Sequence, residues 1–221
     1  MENFIQVIKI LDEDQLKVVN DYIDTLEFAP NTVFDGNGNL REDDAVRSSI
    51  GTCLEENHDV TNIVHENLNR GLLEYRERLV GLNCVVDGYP IPGGFNTSSH
   101  REGIQVLDYV EGKHYNWHFD ECTDPYQDFY HRKISIVLYL TDDFEGGTTR
   151  FKPERDYKPK AGYALYFPSS WCFMHCATPV KSGKKRVAVT WYYCKDHTNI
   201  TADEDGKKTL VLSCHQTINA L

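Results

Sequence analysis

The sequence predicts an α+β fold in which N-terminal helices brace the outside of a double-stranded β-helix, the cupin-like jelly roll. Three observations point there. Two amphipathic helical stretches lie before residue 80, one starting at Asp12 and one running from Val60 to Leu79. From Ile104 onward the chain breaks into short apolar or aromatic runs, such as Lys133 to Leu140 and Tyr163 to Phe167, punctuated by Gly and Pro. Helices grouped ahead of many strands imply one α+β domain rather than a parallel α/β sheet. With no internal repeat, low-complexity tract or linker, residues 1–221 are expected to form a single domain. Residues 1–100 would supply helical support and a substrate loop, 101–195 the core, and 196–221 a tail with a last strand.

Taken in order, Asn3 to Ile10 alternates loosely and predicts a first strand. Asp12-Glu13-Asp14-Gln15 then offers a capping box, with Asp12 as N-cap and Gln15 at the third helical position. Leu16, Val19, Ile23 and Leu26 fall on one face of the helix that follows. Pro30 to Asp44 is polar around Asn37-Gly38-Asn39 and predicts a turn or loop; Ser48 to Leu54 predicts a short strand. In the second helix Val64, Leu68, Leu72, Tyr75 and Leu79 recur at spacings of three and four, with His58 and His65 as surface or packing residues. Asp87 to Ser99 holds turn formers and a few aromatics and fits no regular template. After His197 the chain is polar through Gly206, and Thr209 to Leu212 predicts a final strand.

Composition sets limits on function. A formal charge of −11 disfavours broad attraction to nucleic acid. The basic cluster Lys181 to Arg186 reads as a solvated turn. No run reaches the roughly 18 to 20 apolar residues that a membrane span needs, and the N-terminus lacks the plan of a signal peptide, so a cytoplasmic protein is expected. Seven scattered cysteines without a C-x-x-C pair fit reduced thiols. Cys172 and Cys176 bracket His175, but lack the second close pair of a structural zinc site.

The chemistry concentrates in His118, Asp120 and His175. Tyr115 to Asp120 reads as a strand end, on which residues two apart project from one face, so His118 and Asp120 point together and Phe119 opposes them. His175 arrives fifty-five positions after Asp120, a separation suited to another strand of a rolled-up sheet. Two imidazoles and a carboxylate on one side of a divalent ion form the facial triad of non-haem Fe(II) oxygenases, with coordination positions left open. A lone H-x-D pair is weak, but the surrounding residues add to it: Gln105-Val106-Leu107-Asp108-Tyr109, Gly112, Tyr115, Val137-Leu138-Tyr139-Leu140, Glu145 to Phe151, Lys160-Ala161-Gly162, and His175 to Val180 followed by Gly183. In this order, over about residues 102 to 193, they resemble the prolyl 4-hydroxylase-like branch of the 2-oxoglutarate- and Fe(II)-dependent oxygenases.

The resemblance implies Fe(II), 2-oxoglutarate and O2, with ascorbate as a further cofactor, and hydroxylation of a side chain, prolyl above all, in a peptide or protein. It places Tyr139 at a position whose hydroxyl helps hold the distal carboxylate of 2-oxoglutarate, and Tyr109 and Tyr115 at positions facing the pocket. The basic partner of that carboxylate falls nine to eleven positions after the second histidine, where this chain has both Lys185 and Arg186. Strand parity groups Arg186 with Ala188, Thr190 and Tyr192, and Lys185 with Val187, Val189 and Trp191. The small and hydroxylated set favours Arg186 as the anchor, with Thr190 as a weaker contact and Trp191 in the core. Other readings remain: the same chemistry on another residue or a small molecule, a non-catalytic jelly-roll binding module, or a zinc hydrolase using the same triad.

Overall fold

The computed structural model describes residues 2–34, 40–81, 102–121, 130–195, 199–202 and 208–211. The expected loop from Asp87 to Ser99 lies outside them. A 3₁₀ turn (Glu2–Phe4) leads into strand β1 (Gln6–Lys9) and helix α1 (Glu13–Ile23). The capping box forms: the Gln15 N–H donates to Asp12 Oδ1 at 2.8 Å and the Asp12 N–H to Gln15 Oε1 at 3.2 Å. The helix ends at Ile23, so Val19 and Ile23 carry its buried face while Leu26 packs from the following turn.

The polar stretch from Pro30 to Asp44 departs from the expected loop. It contains strands β2 (Ala29–Pro30), β3 (Thr32–Phe34) and β4 (Leu40–Glu42), and β3 pairs with β4 in an antiparallel ribbon. Alternating hydrophobicity marks a strand only where one face is buried, and β4 is exposed throughout. Strand β5 (Ile50–Cys53) precedes helix α2 (Asp59–Gly81), whose Val64, Leu68, Leu72, Tyr75 and Leu79 are all buried. Gly71 sets how closely α2 approaches the sheet: a Cβ there would lie 2.4 Å from Tyr166 Oη and 2.6 Å from Ile10 Cδ1.

The remaining strands are β6 (Gln105–Tyr109), β7 (Tyr115–His118), β8 (Tyr130–Tyr139), β9 (Glu145–Gly146), β10 (Thr149–Phe151), β11 (Arg155–Tyr157), β12 (Tyr163–Pro168), β13 (His175–Ala177), β14 (Val180–Ser182) and β15 (Lys185–Lys195). Beyond them β16 (Asn199–Ala202) pairs with β17 (Lys208–Val211), so the stretch expected to be merely polar holds one strand of a ribbon. Seven strands form one antiparallel sheet in the order β1-β12-β8-β15-β6-β5-β2, and four form a second in the order β11-β10-β13-β7. Leu107, Tyr139, Phe151, Leu165, Phe167, Val187 and Val189 share an apolar core with residues of both sheets. A separate core joins α1 and α2 to the other face of the large sheet through Ile8, Val106, Ile136, Leu138, Tyr166, Ala188 and Tyr192. Period-two alternation along β15 therefore sorts its side chains between two interiors. At the β9 turn Gly146 has φ +69°, and a Cβ would sit 2.4 Å from the Pro179 carbonyl oxygen, so only glycine admits the β14 strand that pairs there. Among the described residues no helix is long and apolar enough to cross a membrane.

Candidate active site

His118 on β7 and His175 on β13 face each other as directly opposed residues of an antiparallel pair, with ring centroids 4.3 Å apart. Asp120, two residues beyond His118, turns to the same side: its Oδ1 lies 3.7 Å from His118 Nε2 and its Oδ2 lies 3.6 Å from His175 Nε2. One ligand atom from each of the three residues fits within a 4.8 Å cluster. The alternation holds, since Trp117 and Phe119 are exposed on either side of His118. Both imidazoles are oriented by backbone carbonyls. His118 Nδ1 meets Asn116 O at 2.7 Å and His175 Nδ1 meets Phe173 O at 3.0 Å. A carbonyl only accepts, so each Nδ1 carries the proton and each Nε2 presents a lone pair to the centre.

Electrostatics agree with a cation site. Burial, followed by the neighbouring His175, holds His118 well below the ordinary imidazole range and so keeps it neutral. Burial alone would push the Asp120 carboxyl up, but the two histidines, the Ser135 hydroxyl and the Trp191 indole outweigh it and hold the group anionic. Two imidazole nitrogens and one carboxylate, converging from one side, fit a divalent iron ion.

The order of the basic residues is the reverse of that expected. Lys185 points into the interior between the sheets: it is 1% exposed, and its Nζ lies 5.2 Å from the ring centroids of both Tyr109 and Tyr139. Burial lowers its pKa to about 7. Arg186 points the other way, where its Nε and Nη2 donate to Asp108 at 2.9 and 3.1 Å and its Nη1 to Asp24 Oδ1 at 2.7 Å. Arg186 is thus a cross-link between sheet and α1, away from the cavity. Thr190 shares that face and donates to the Glu102 carbonyl at 2.9 Å, so it too is removed from the candidate pocket. The division of β15 into two faces was legible; the choice between them was not, because Ala188 and Tyr192 meet the helices. Nor is the whole basic cluster a solvated turn, since Lys184 is half-exposed against Asp108 while Lys185 is buried.

Tyr109, Tyr115 and Lys185 line one cavity of about 630 Å³ together with His118, Asp120 and His175. Tyr139 is fully buried behind Lys185 and does not line the cavity; its hydroxyl meets Thr149 Oγ1 at 2.7 Å, accepts the Thr149 N–H at 3.2 Å and donates to the Tyr157 carbonyl at 3.3 Å. Burial raises the Tyr139 and Tyr109 pKa values, so both phenols stay protonated donors. Three cavity residues escaped the sequence reading. Arg47 comes from the segment before β5 and lies 4.9 Å over the Tyr115 ring, with its Nε buried and lacking a hydrogen-bond partner. Arg132 of β8 is paired with Glu102, and Trp191, expected in the core, lies under the Arg132 guanidinium at 3.7 Å. Trp191 shared the face of Lys185 in the sequence; for Arg47 no local signal existed.

Residues 104–193 match the family model of the 2OG-Fe(II) oxygenase superfamily. Over that stretch the chain is similar to this superfamily. Among relatives, prolyl 4-hydroxylase 5 of Arabidopsis thaliana is 26% identical over 195 residues, covering 74% of this chain and 59% of the relative. A PKHD-type hydroxylase of Synechococcus sp. strain CC9605 is 33% identical over 118 residues, 49% of this chain and 51% of its own. The chain thus spans between about half and two thirds of the length of the curated relatives it matches. The fold is similar to the viral collagen prolyl hydroxylase of Paramecium Bursaria Chlorella virus-1, solved with 2OG, with TM-score 0.58, 20% identity and coverage of 86% of this chain and 96% of that one. It is also similar to a Trichoplax adhaerens prolyl hydroxylase bound to a hypoxia inducible factor peptide, with TM-score 0.59, 14% identity and coverage of 87% and 84%. These likenesses show the jelly-roll fold.

Proposed function

We propose that the protein is an Fe(II)- and 2-oxoglutarate-dependent dioxygenase that hydroxylates a side chain, prolyl first, of a peptide or protein, with O2 consumed and succinate and CO2 released. The observation that carries this reading is one interior holding both a converging His118–Asp120–His175 set and, behind it, a buried lysine whose surroundings include no carboxylate partner among the described residues. A zinc hydrolase has no use for that lysine. The α1 and α2 helices brace the large sheet from outside, and residues 1–221 act as one oxygenase domain. When bound, iron with 2-oxoglutarate and O2 supplies the oxidising chemistry, with ascorbate as a reductant.

The protein's own residues bind, orient and exclude water. Lys185 Nζ neutralises the distal carboxylate of 2-oxoglutarate in an interior where an unpaired charge would be costly. Tyr139 and Tyr109 flank that ammonium, and the tyrosine hydroxyls offer further donors. Tyr115 stacks on the His118 ring with centroids 3.7 Å apart and shields that side of the centre. Arg47 presents its unpartnered Nε–H to a substrate carbonyl. The peptide complex of the Trichoplax adhaerens relative supports a peptide as substrate.

The test is anaerobic addition of Fe(II) and 2-oxoglutarate to the whole chain. A weak visible charge-transfer band is expected, absent from His175→Ala, and succinate should form once O2 is admitted. Correctly folded, iron-loaded protein without the band would sink the oxygenase reading.

A pH dependence follows from Lys185. Its unliganded pKa of about 7 means that, above pH 7, 2-oxoglutarate must bind with uptake of a proton. Tyr109 and Tyr139, which face it from β6 and β8, and Cys176 on β13 are all shifted upward and stay neutral through this window. The Kd should therefore be flat below pH 7 and rise by up to about tenfold per pH unit above it. Anaerobic titrations at pH 6, 7, 8 and 9 would show this, and a pH-independent Kd in Lys185→Arg would assign it.

A further inference from the structure

The two imidazoles of the site are each oriented by the carbonyl two residues earlier, but those carbonyls are held in different ways. Phe173, which serves His175, is buried, and its N–H donates to Ser170 O at 2.9 Å, so its peptide belongs to a turn packed on the core. Asn116, which serves His118, lies beside Trp117 in the exposed middle of β7. A bond from ring to carbonyl fixes the ring only as firmly as the carbonyl is itself fixed.

What fixes Asn116 comes from another part of the chain. β7 stands last in the order β11-β10-β13-β7, and on the side away from β13 it is met by residues 45–48, which lead into β5. The Ser48 N–H donates to His114 O at 3.0 Å and the His114 N–H to Ser48 Oγ at 2.9 Å, while Arg47 and Tyr115 form a β-bridge. At Asn116 the docking is double: the backbone N–H donates to Val46 O at 2.9 Å and Nδ2 donates to Ala45 O at 2.7 Å. Its carbonyl accepts from His118 Nδ1 at 2.7 Å. One residue thus grips the neighbouring segment with backbone and side chain and the imidazole with its carbonyl.

The segment is braced in turn by Asp43. The Asp43 carbonyl accepts the Val46 and Arg47 N–H groups at 2.9 and 2.8 Å, Oδ1 accepts the Ala45 N–H at 3.1 Å, and Oδ2 pairs with Arg41 Nη2 at 2.6 Å. A carboxylate that accepts from the N–H two residues on makes an Asx turn, so the Ala45 and Val46 carbonyls are presented in set directions.

The geometry points to Asn116 as a positioning residue: its side-chain amide, seated on residues 43–48, fixes the peptide whose carbonyl sets the rotation of the His118 ring. This rests on the reading of His118, Asp120 and His175 as a metal centre. Its consequence is that an exposed side chain outside the triad controls metal affinity. Groups that orient a ligand commonly change affinity by about 10- to 100-fold, and the lower end applies here because the backbone bond to Val46 survives loss of the amide.

Co(II) binding to the intact chain, followed by its visible absorption, tests this without turnover. Asn116→Ala removes the amide and keeps the backbone donor. It should melt within a few degrees of wild type, bind Co(II) about tenfold more weakly, and at saturating Co(II) show a ligand-field band of altered shape. A merely structural role would leave affinity and band unmoved. His118→Ala is the control for the centre itself. If His118→Ala loses Co(II) while Asn116→Ala binds it with wild-type affinity and spectrum, the positioning role is overturned and the metal centre stands. If His118→Ala binds as wild type does, the metal centre fails and the proposal falls with it. Should Asn116→Ala not fold, Asp43→Ala decides: a several-fold loss of Co(II) affinity is expected from the loosened turn, and unchanged affinity overturns the proposal.

Discussion

Lys185→Ala is expected to raise the Kd for 2-oxoglutarate roughly thirtyfold or more, while Arg186→Ala leaves it nearly unchanged. A buried carboxylate stripped of its one cation loses about 2 to 5 kcal/mol, and each 1.4 kcal/mol is about tenfold in Kd. Lys185 is 1% exposed between two tyrosine rings, so water cannot enter freely to replace the ammonium. Arg186 is already saturated by Asp108 and Asp24 on the opposite face of the strand. Anaerobic titration at pH 6.5, where unliganded Lys185 is still largely protonated, measures both variants under conditions that favour the ammonium. A Lys185→Ala protein that bound 2-oxoglutarate within threefold of wild type would show that the distal carboxylate is held elsewhere in the cavity.

What the sequence disclosed and what it withheld divide along one physical line. The Asp12 capping box, the buried stripe of α2 and the shared face of His118 and Asp120 depend on residues within a turn or two of each other, and the local pattern contains them whole. The split of β15 into two faces is equally local, because side chains alternate. Which face looks inward depends on what covers the other, and that information lies more than a hundred residues away in α1 and α2. Small Ala188 and hydroxyl-bearing Thr190 suggested a cosubstrate pocket; Ala188 is small where the helices press on the sheet, and the Thr190 hydroxyl serves the Glu102 carbonyl. Arg47 reaches Tyr115 across a chain separation of nearly seventy residues through a single β-bridge. The polar ribbon of β3 and β4 was hidden for another reason: with exposed faces it has no apolar alternation to show.

The corrected position of Arg186 makes it a stability element, and Arg186→Ala should lower Tm by roughly 6 to 12 °C. Asp108, its cross-strand partner on β6, is 3% exposed and accepts two parallel hydrogen bonds from the guanidinium, the geometry in which a charged pair is strongest. Removing one member of such a buried pair costs about 3 to 5 kcal/mol, mainly because the other charge stays behind in the interior. Lys184 Nζ, 2.6 Å from Asp108 Oδ2, remains in Arg186→Ala, but its side chain is 48% exposed and offsets only part of the loss. The Asp24 arm adds little, since that carboxylate is 66% exposed and screened by water. A net cost near 3 kcal/mol converts to the stated range at about 2 to 4 °C per kcal/mol for a chain of this size. If the stranded charge is the cause, adding Asp108→Asn to Arg186→Ala should recover part of the Tm, because the double variant leaves no anion to desolvate. Thermal melts of the two variants and the double decide it: a double variant no more stable than Arg186→Ala would place the loss in the packing of the arginine stem against Phe28 and α1 instead.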